Sequence, residues 1–270
     1  MSAIEFAAAT ILALTVFAQS QPPDIPAKKL MDRGAMQQVC ENNAAVNIDS
    51  MGHFQCTVCP SYTDLHGTRE SFSLRAAYRG HFSTTKADQL LLALNGCEPH
   101  ASGFGGSILL TRDGTVWKKS GYFKGDNVSN CLPFKSHDGL DRLACLAGDS
   151  FAGNSVYWMS AASYRNNSLH EERLLDASSN LTYGSPVARY CYDQHIGTFE
   201  KLPSGIGYRV VVTQTRGLAP SDGKSCGETE IPMEPPQTVN LNFQFDGEHF
   251  TLAPESKDSL QRVQNFVPHQ

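Results

Sequence analysis

The sequence predicts a mainly β fold, built from repeated antiparallel hairpin units and stapled by disulfides. The expected architecture is a small or incomplete β-propeller, with a two-sheet β-sandwich as the alternative. Three observations point there. Asp-Gly pairs stand between runs of alternating apolar and polar residues, the pattern of tight hairpins. The cysteines number eight, an even count, and all follow an apolar N-terminal run. A unit of Gly/Asp-containing loop, apolar strand, loop and hairpin recurs, with Asp88 and Asp141 at matching positions, a spacing of about fifty residues that suits a four-stranded blade.

The elements follow in chain order. Phe6 to Ala18, "FAAATILALTVFA", has the length of a signal-peptide core and is short for a membrane span. Val16 and Ala18 suit a cleavage site and "QSQPPDIP" breaks the pattern, although Glu5 stands where a basic residue is usual. Residues 1–18 are therefore expected to be a signal peptide, with a mature N-terminus at Gln19 and a secreted or periplasmic location. The rival reading is a buried helix opening a cytosolic domain. Residues 19–50 read as a proline-rich leader in which "AKKLMDRGAMQQVCENN" has room for a turn or two of helix. Residues 51–270 read as one β-rich domain.

Within that domain, "SILLTRDGTVW" predicts a hairpin about Asp113-Gly114 that pairs Leu110 with Trp117. In "LNFQFDGEHFTL" a two-residue loop at Asp246-Gly247 sets Phe243 opposite Phe250 and Leu241 opposite Leu252. Asn242, Gln244, His249 and Thr251 then share the other face. Two short helices are expected besides. Ser168 with Glu171 makes a capping-box pattern ahead of "ERLL". In "ESKDSLQRVQNF", Leu260, Val263 and Phe266 fall on one helical face.

The cysteines admit three chemistries. His53, Cys56, Cys59 and His66 in "HFQCTVCPSYTDLH" offer zinc two thiolates and two imidazoles. A redox Cys-x-x-Cys needs a following helix to lower the thiol pKa, and "CPSYTD" reads as loop. Structural disulfides are the preferred reading, because the chain carries an export-like leader. Cys131 and Cys145 are symmetric about Asp138 in "CLPFKSHDGLDRLAC". A three-residue loop with Gly139 left-handed opposes them directly and allows a bond. The competing pairing joins Cys97 to Cys131 and leaves Cys145 for Cys191 or Cys226.

The stretch "GCEPHASGFGG" gathers the candidate site residues Glu98 and His100. A carboxylate beside an imidazole serves as an acid/base pair or as two metal ligands, with His81 as a distant partner. The plainer reading is a turn: Pro99 rigidifies it, Cys97 closes a disulfide, and Gly105-Gly106 lead into a strand rather than a phosphate-binding helix. Trp117 is a third ligand-binding candidate, as a sugar-stacking platform, although buried core is the commoner fate of tryptophan. No nucleophile elbow occurs, and no metal or cofactor is expected. The formal net charge of −5, with no basic cluster larger than a Lys-Lys pair, excludes nucleic acid as a partner. Sequons stand at Asn127, Asn166 and Asn180.

The phrases Gly80-His81-Phe82…Ala87-Asp88-Gln89-Leu90 and His137-Asp138-Gly139-Leu140-Asp141-Arg142-Leu143 resemble degenerate FG-GAP or VCBS repeats of extracellular β-propellers. That resemblance covers under half of the chain and implies a propeller blade with a calcium loop. Asp88, Asp138 and Asp141 are what remains of the acidic ligands, while calcium wants six to eight oxygens, so calcium binding is not carried over. The whole chain is also similar to uncharacterised exported bacterial proteins that carry a "CEPH…FGG" phrase. The expected function is that of an exported, non-enzymatic binding or scaffold protein with an unknown ligand or protein partner. The alternatives are an exported hydrolase acting on carbohydrate or ester, and a zinc-binding module.

Overall fold

The computed structural model describes residues 33–41, 46–48, 54–98, 105–125, 128–165, 168–182, 189–228 and 230–267. The expected signal peptide, residues 19–32, and His53, His100, Asn127 and Asn166 lie outside the described residues. Two antiparallel sheets make up the body. The first holds β1 (Val46–Ile48), β2 (Phe54–Cys56), β3 (Phe72–Gly80), β4 (Gln89–Asn95), β5 (Gly106–Asp113) and β6 (Val116–Phe123). The second holds β7 (Cys131–Lys135), β8 (Asp141–Phe151), β9 (Asn154–Arg165), β10 (Ser168–Ser179), β11 (Tyr190–Lys201), β12 (Gly207–Leu218), β13 (Gln237–Phe245) and β14 (Phe250–Leu252). Helix α1 (Arg33–Cys40) precedes them and α2 (Lys257–Gln264) follows. No helix among the described residues is long and apolar enough to cross a membrane.

Within each sheet, every strand pairs with its neighbour in sequence. The four-stranded blades expected from the repeat are therefore not what the chain forms: its units merge into continuous meanders of six and eight strands. The two copies of the repeat instead meet across the sheets. The Asp141 carboxylate accepts the His81 N–H at 2.7 Å, and the Asp141 N–H donates to the His81 carbonyl at 2.6 Å.

Three layers of apolar side chains hold the sheets. Ala35, Met36 and Val39 lay one face of α1 on Leu90, Leu92, Leu94, Ile108 and Leu110 of the first sheet. The other face of the same strands, Leu91, Ala93 and Leu109, meets Leu143, Cys145, Ala162 and Tyr164 of the second sheet. Being covered on both sides, β4 reads as the unbroken run "LLLAL" rather than as an alternation. The second sheet curls into a half-barrel around a third layer. There Tyr208, Val210, Val212, Leu241 and Phe243 face inward together with Val263 of α2.

The curl has a seam. Strands β10 and β11 pair in register only at Ser179 and Asp193. Asn180 closes the corner: its Oδ1 accepts the Tyr192 N–H at 2.7 Å, and its Nδ2 donates to the Tyr190 carbonyl at 3.0 Å. Its side chain is thus spent on the backbone, and Asn180 is 2% exposed.

The hairpins show what turn chemistry dictates. Between β5 and β6 the loop is Gly114-Thr115, with Gly114 at φ 60°, as a turn with glycine at its first central position requires. Leu110 therefore faces Lys119, and Trp117 faces Arg112, a two-residue shift from the expected register. The β13–β14 loop runs from Asp246 to His249, pairing Phe243 with Leu252 and Phe245 with Phe250. The Asp246 carboxylate accepts the Glu248 and His249 N–H groups, at 2.8 and 2.7 Å, and this wraps a longer loop than Asp-Gly alone predicts. The segment after Ser168 is strand β10 and not the expected helix: it pairs with β9 from Ser168↔Arg165 onward, so sheet pairing overrides the local capping pattern.

Four disulfides join Cys40–Cys56, Cys59–Cys97, Cys131–Cys145 and Cys191–Cys226. The Cys131–Cys145 pair is the expected one. The two residues oppose each other with Cα atoms 4.0 Å apart, and the loop is 137–139 with Gly139 at φ 79°. Removing this crosslink with Cys131→Ser and Cys145→Ser together is expected to lower unfolding free energy by about 3 kcal/mol, the chain-entropy value for a loop of this size. A denaturant midpoint unchanged from the parent would contradict it.

Candidate functional site

Of the residues singled out in the sequence, Glu98 and Trp117 are built into the body, and His100 lies outside the described residues. Glu98 follows the Cys97 turn, where Gly96 and Cys97 take φ 101° and 62°. A side chain on Gly96 would meet the Ser71 carbonyl oxygen at 2.0 Å, so the chain needs glycine there. The Glu98 side chain is 2% exposed, accepts the Tyr122 hydroxyl at 2.9 Å, and lies 3.9 Å from the Lys124 ammonium. Burial and the neighbouring Glu98 carboxylate together push the Tyr122 hydroxyl well above its usual pKa. Glu98 thus bolts the end of β4 to β6. Trp117 is 6% exposed in the α1 layer, with the Arg112 guanidinium 5.7 Å from its ring. Cys56 and Cys59 enter separate disulfides, so neither is a thiolate for zinc. The acidic residues of the repeat are also occupied. Asp88 pairs with Arg79, Asp141 with Lys135, and Asp138 with Arg142. Among the described residues no three His, Cys, Asp or Glu side chains gather to hold a metal ion.

The structure brings a different set together, at the mouth of the half-barrel. Pairing of β9 with β10 sets Ser163 opposite His170 and Ala161 opposite Glu172. Arg142, one residue before the Leu143↔Ala162 pair, turns its side chain to the same inner face as Ala144. The β13–β14 hairpin crosses this end. Its tip is fixed by the His137 N–H, which donates to the Gly247 carbonyl at 2.9 Å, and a side chain on Gly247 would meet the His137 ring at 2.2 Å. The result is a cleft of about 330 Å³. Arg142, Ala161 and Phe250 form its floor, and Arg165, His170, Glu172, Glu248 and His249 its exposed rim.

Arg142 is the unusual member. Its side chain is 7% exposed and its Nη2 donates to Asp138 at 2.8 Å. Its Nε and Nη1 are buried with no hydrogen-bond partner among the described residues. A buried cation short of acceptors is costly, and such sites recur where a ligand completes the set. A signal for this was present in the sequence: in "DRLACLAG" Arg142 occupies the parity of Ala144, an inward position where an apolar residue is the rule.

A second polar pair lies on the opposite face of the second sheet. His195 Nδ1 is 2.8 Å from an Asp193 carboxylate oxygen. The hydrogen bond with Asp193 raises the imidazole pKa against the opposing effect of burial. Burial also pushes the Asp193 carboxyl up, but hydrogen bonds from His195 and Ser179 outweigh it and hold the group below its usual value. The Ser179 hydroxyl donates to the Tyr192 carbonyl at 3.3 Å, so the pair has a base and an orienting acid with, among the described residues, no hydroxyl set on the imidazole. A raised histidine pKa contributes stability that is complete below the unfolded value, about 6.5, and is lost as pH rises through the folded one. His195→Gln is therefore expected to flatten the fall in Tm between about pH 6 and pH 8. With the imidazole side chain 40% exposed, the effect stays below about 1 kcal/mol. Thermal unfolding across this range checks it, and coincident profiles for parent and variant would refute it.

No family model, curated protein or solved structure matches the chain.

Proposed function

We propose that the protein is a non-enzymatic binding protein of an oxidising, extracellular or periplasmic compartment, and that its ligand sits in the cleft at the mouth of the half-barrel. The observation that carries this is Arg142: a guanidinium 7% exposed, with two of its nitrogens unpartnered, on the floor of a preformed concavity. The cleft's volume lies at the small end of the range for ligand sites. Four disulfides, with no free cysteine among the described residues, support the compartment. The hydrolase reading finds less support, since among the described residues neither Glu98 nor the Asp193–His195 pair is set on a nucleophile.

The test is thermal unfolding of the oxidised protein with a panel of neutral sugars, amines, carboxylates, phosphates and amino acids. A ligand at a hundredfold excess over its Kd adds about 2.7 kcal/mol, several degrees in a chain of this size. At least one class is expected to raise Tm, and Ser163→Trp, which fills the cleft, is expected to abolish the rise. A panel with no effect, or a rise that survives Ser163→Trp, would overturn the proposal.

A further inference from the structure

The cleft carries charges of both signs, sorted by depth. At the bottom, Arg142 lies beside the apolar surfaces of Ala161 and Phe250. Its unpartnered Nε and Nη1 call for an acceptor, and an ionised oxygen makes hydrogen bonds there about twice as strong as a neutral one. Glu172 and Glu248 stand exposed on the rim. Asp138 already holds the Nη2 of the guanidinium. A bare anion entering the cleft is drawn to Arg142 but must pass the rim carboxylates, with Arg165 as the compensating cation. A bare cation meets the reverse problem at the floor. A molecule with its negative group leading and a positive group trailing satisfies both.

Resting on the binding reading above, we infer that the ligand is a small zwitterion, an α-amino acid or short peptide. Its carboxylate meets Arg142, its ammonium faces Glu172 and Glu248, and its side chain lies on Ala161 and Phe250. Mutual neutralisation inside the ligand also lowers the desolvation cost that a lone ion would meet on entry.

Isothermal titration calorimetry on the intact, oxidised chain tests this with L-leucine, glycyl-L-leucine, N-acetyl-L-leucine, L-leucinamide and inorganic phosphate. Leucine or glycyl-leucine is expected to bind about five- to tenfold more tightly than each ligand lacking one charge, the scale of two partly exposed ion pairs. Glu172→Gln with Glu248→Gln, both at exposed positions that leave folding intact, is expected to remove that preference. The same double variant is expected to change N-acetyl-leucine affinity by less than about threefold. Binding of N-acetyl-leucine or phosphate as tight as that of leucine overturns the assignment, and so does a preference unaltered in the double variant. If neither zwitterion binds while another class raises Tm in a Ser163→Trp-sensitive way, the zwitterion assignment fails and the binding reading stands. If no class binds, both fail.

Discussion

Replacing Tyr208 by alanine is expected to cost about 3–5 kcal/mol, a large share of the about 5–15 kcal/mol that holds a domain folded. The ring is fully buried. It stacks on Phe243 at 5.0 Å and 12°, meets Phe199 edge-on at 5.4 Å, and touches Phe250 at 5.5 Å and Phe134 at 6.1 Å. Those partners come from β13, β11, β14 and β7, so one side chain joins both arms of the half-barrel. Tyr208→Phe is expected to act in the opposite sense. The hydroxyl is buried with no hydrogen-bond partner among the described residues, and an unsatisfied buried donor costs about 1–3 kcal/mol. Removing it keeps every ring contact. Urea unfolding of both variants checks the pair: a phenylalanine variant less stable than the parent would mean that the hydroxyl is satisfied.

Arg142→Met is expected to stabilise the ligand-free protein by about 1–3 kcal/mol while abolishing ligand stabilisation. The gain comes from deleting buried N–H groups that lack partners, which cost about that much, in favour of an unbranched apolar chain of similar length. The loss to Asp138 is small. That carboxyl is half exposed, and the Ser136 hydroxyl, the Leu140 N–H and Arg142 together hold it below its usual pKa. Ser136 and Leu140 remain in the variant. Thermal scans with and without the best ligand of the panel read both effects at once. A Met variant that is destabilised, or that still responds to ligand, would show that the guanidinium is structural.

The body of the fold was legible where local chemistry decides. The left-handed demand at Gly139 set the three-residue loop and hence the Cys131–Cys145 pair. The spacing of Leu260, Val263 and Phe266 announced α2, with Val263 in the core. Registers that depend on a side chain capping its own turn were not legible: Asp246 turns two residues of loop into four, and a period-2 pattern looks the same in either register. The capping box at Ser168 is a sound helix signal that lost to an eleven-position ladder with β9. The site was hidden for a different reason. Arg142, Glu172 and Glu248 belong to three separate hairpins, and sheet curl alone brings them to one mouth. The conspicuous cluster at Glu98 has a turn to build.

The order of the crosslinks bears on how the chain reaches this state. Each cysteine bonds to the next one along: 40 with 56, 59 with 97, 131 with 145, 191 with 226. Eight thiols allow many other pairings, yet this is the one that forms if every thiol takes the first partner to appear. The meander has the same logic, since each strand finds its neighbour in the segment just before it. A polypeptide delivered N-terminus first into an oxidising space can therefore close each loop before the next pair of thiols arrives. Native pairing by that route needs no reshuffling of earlier bonds.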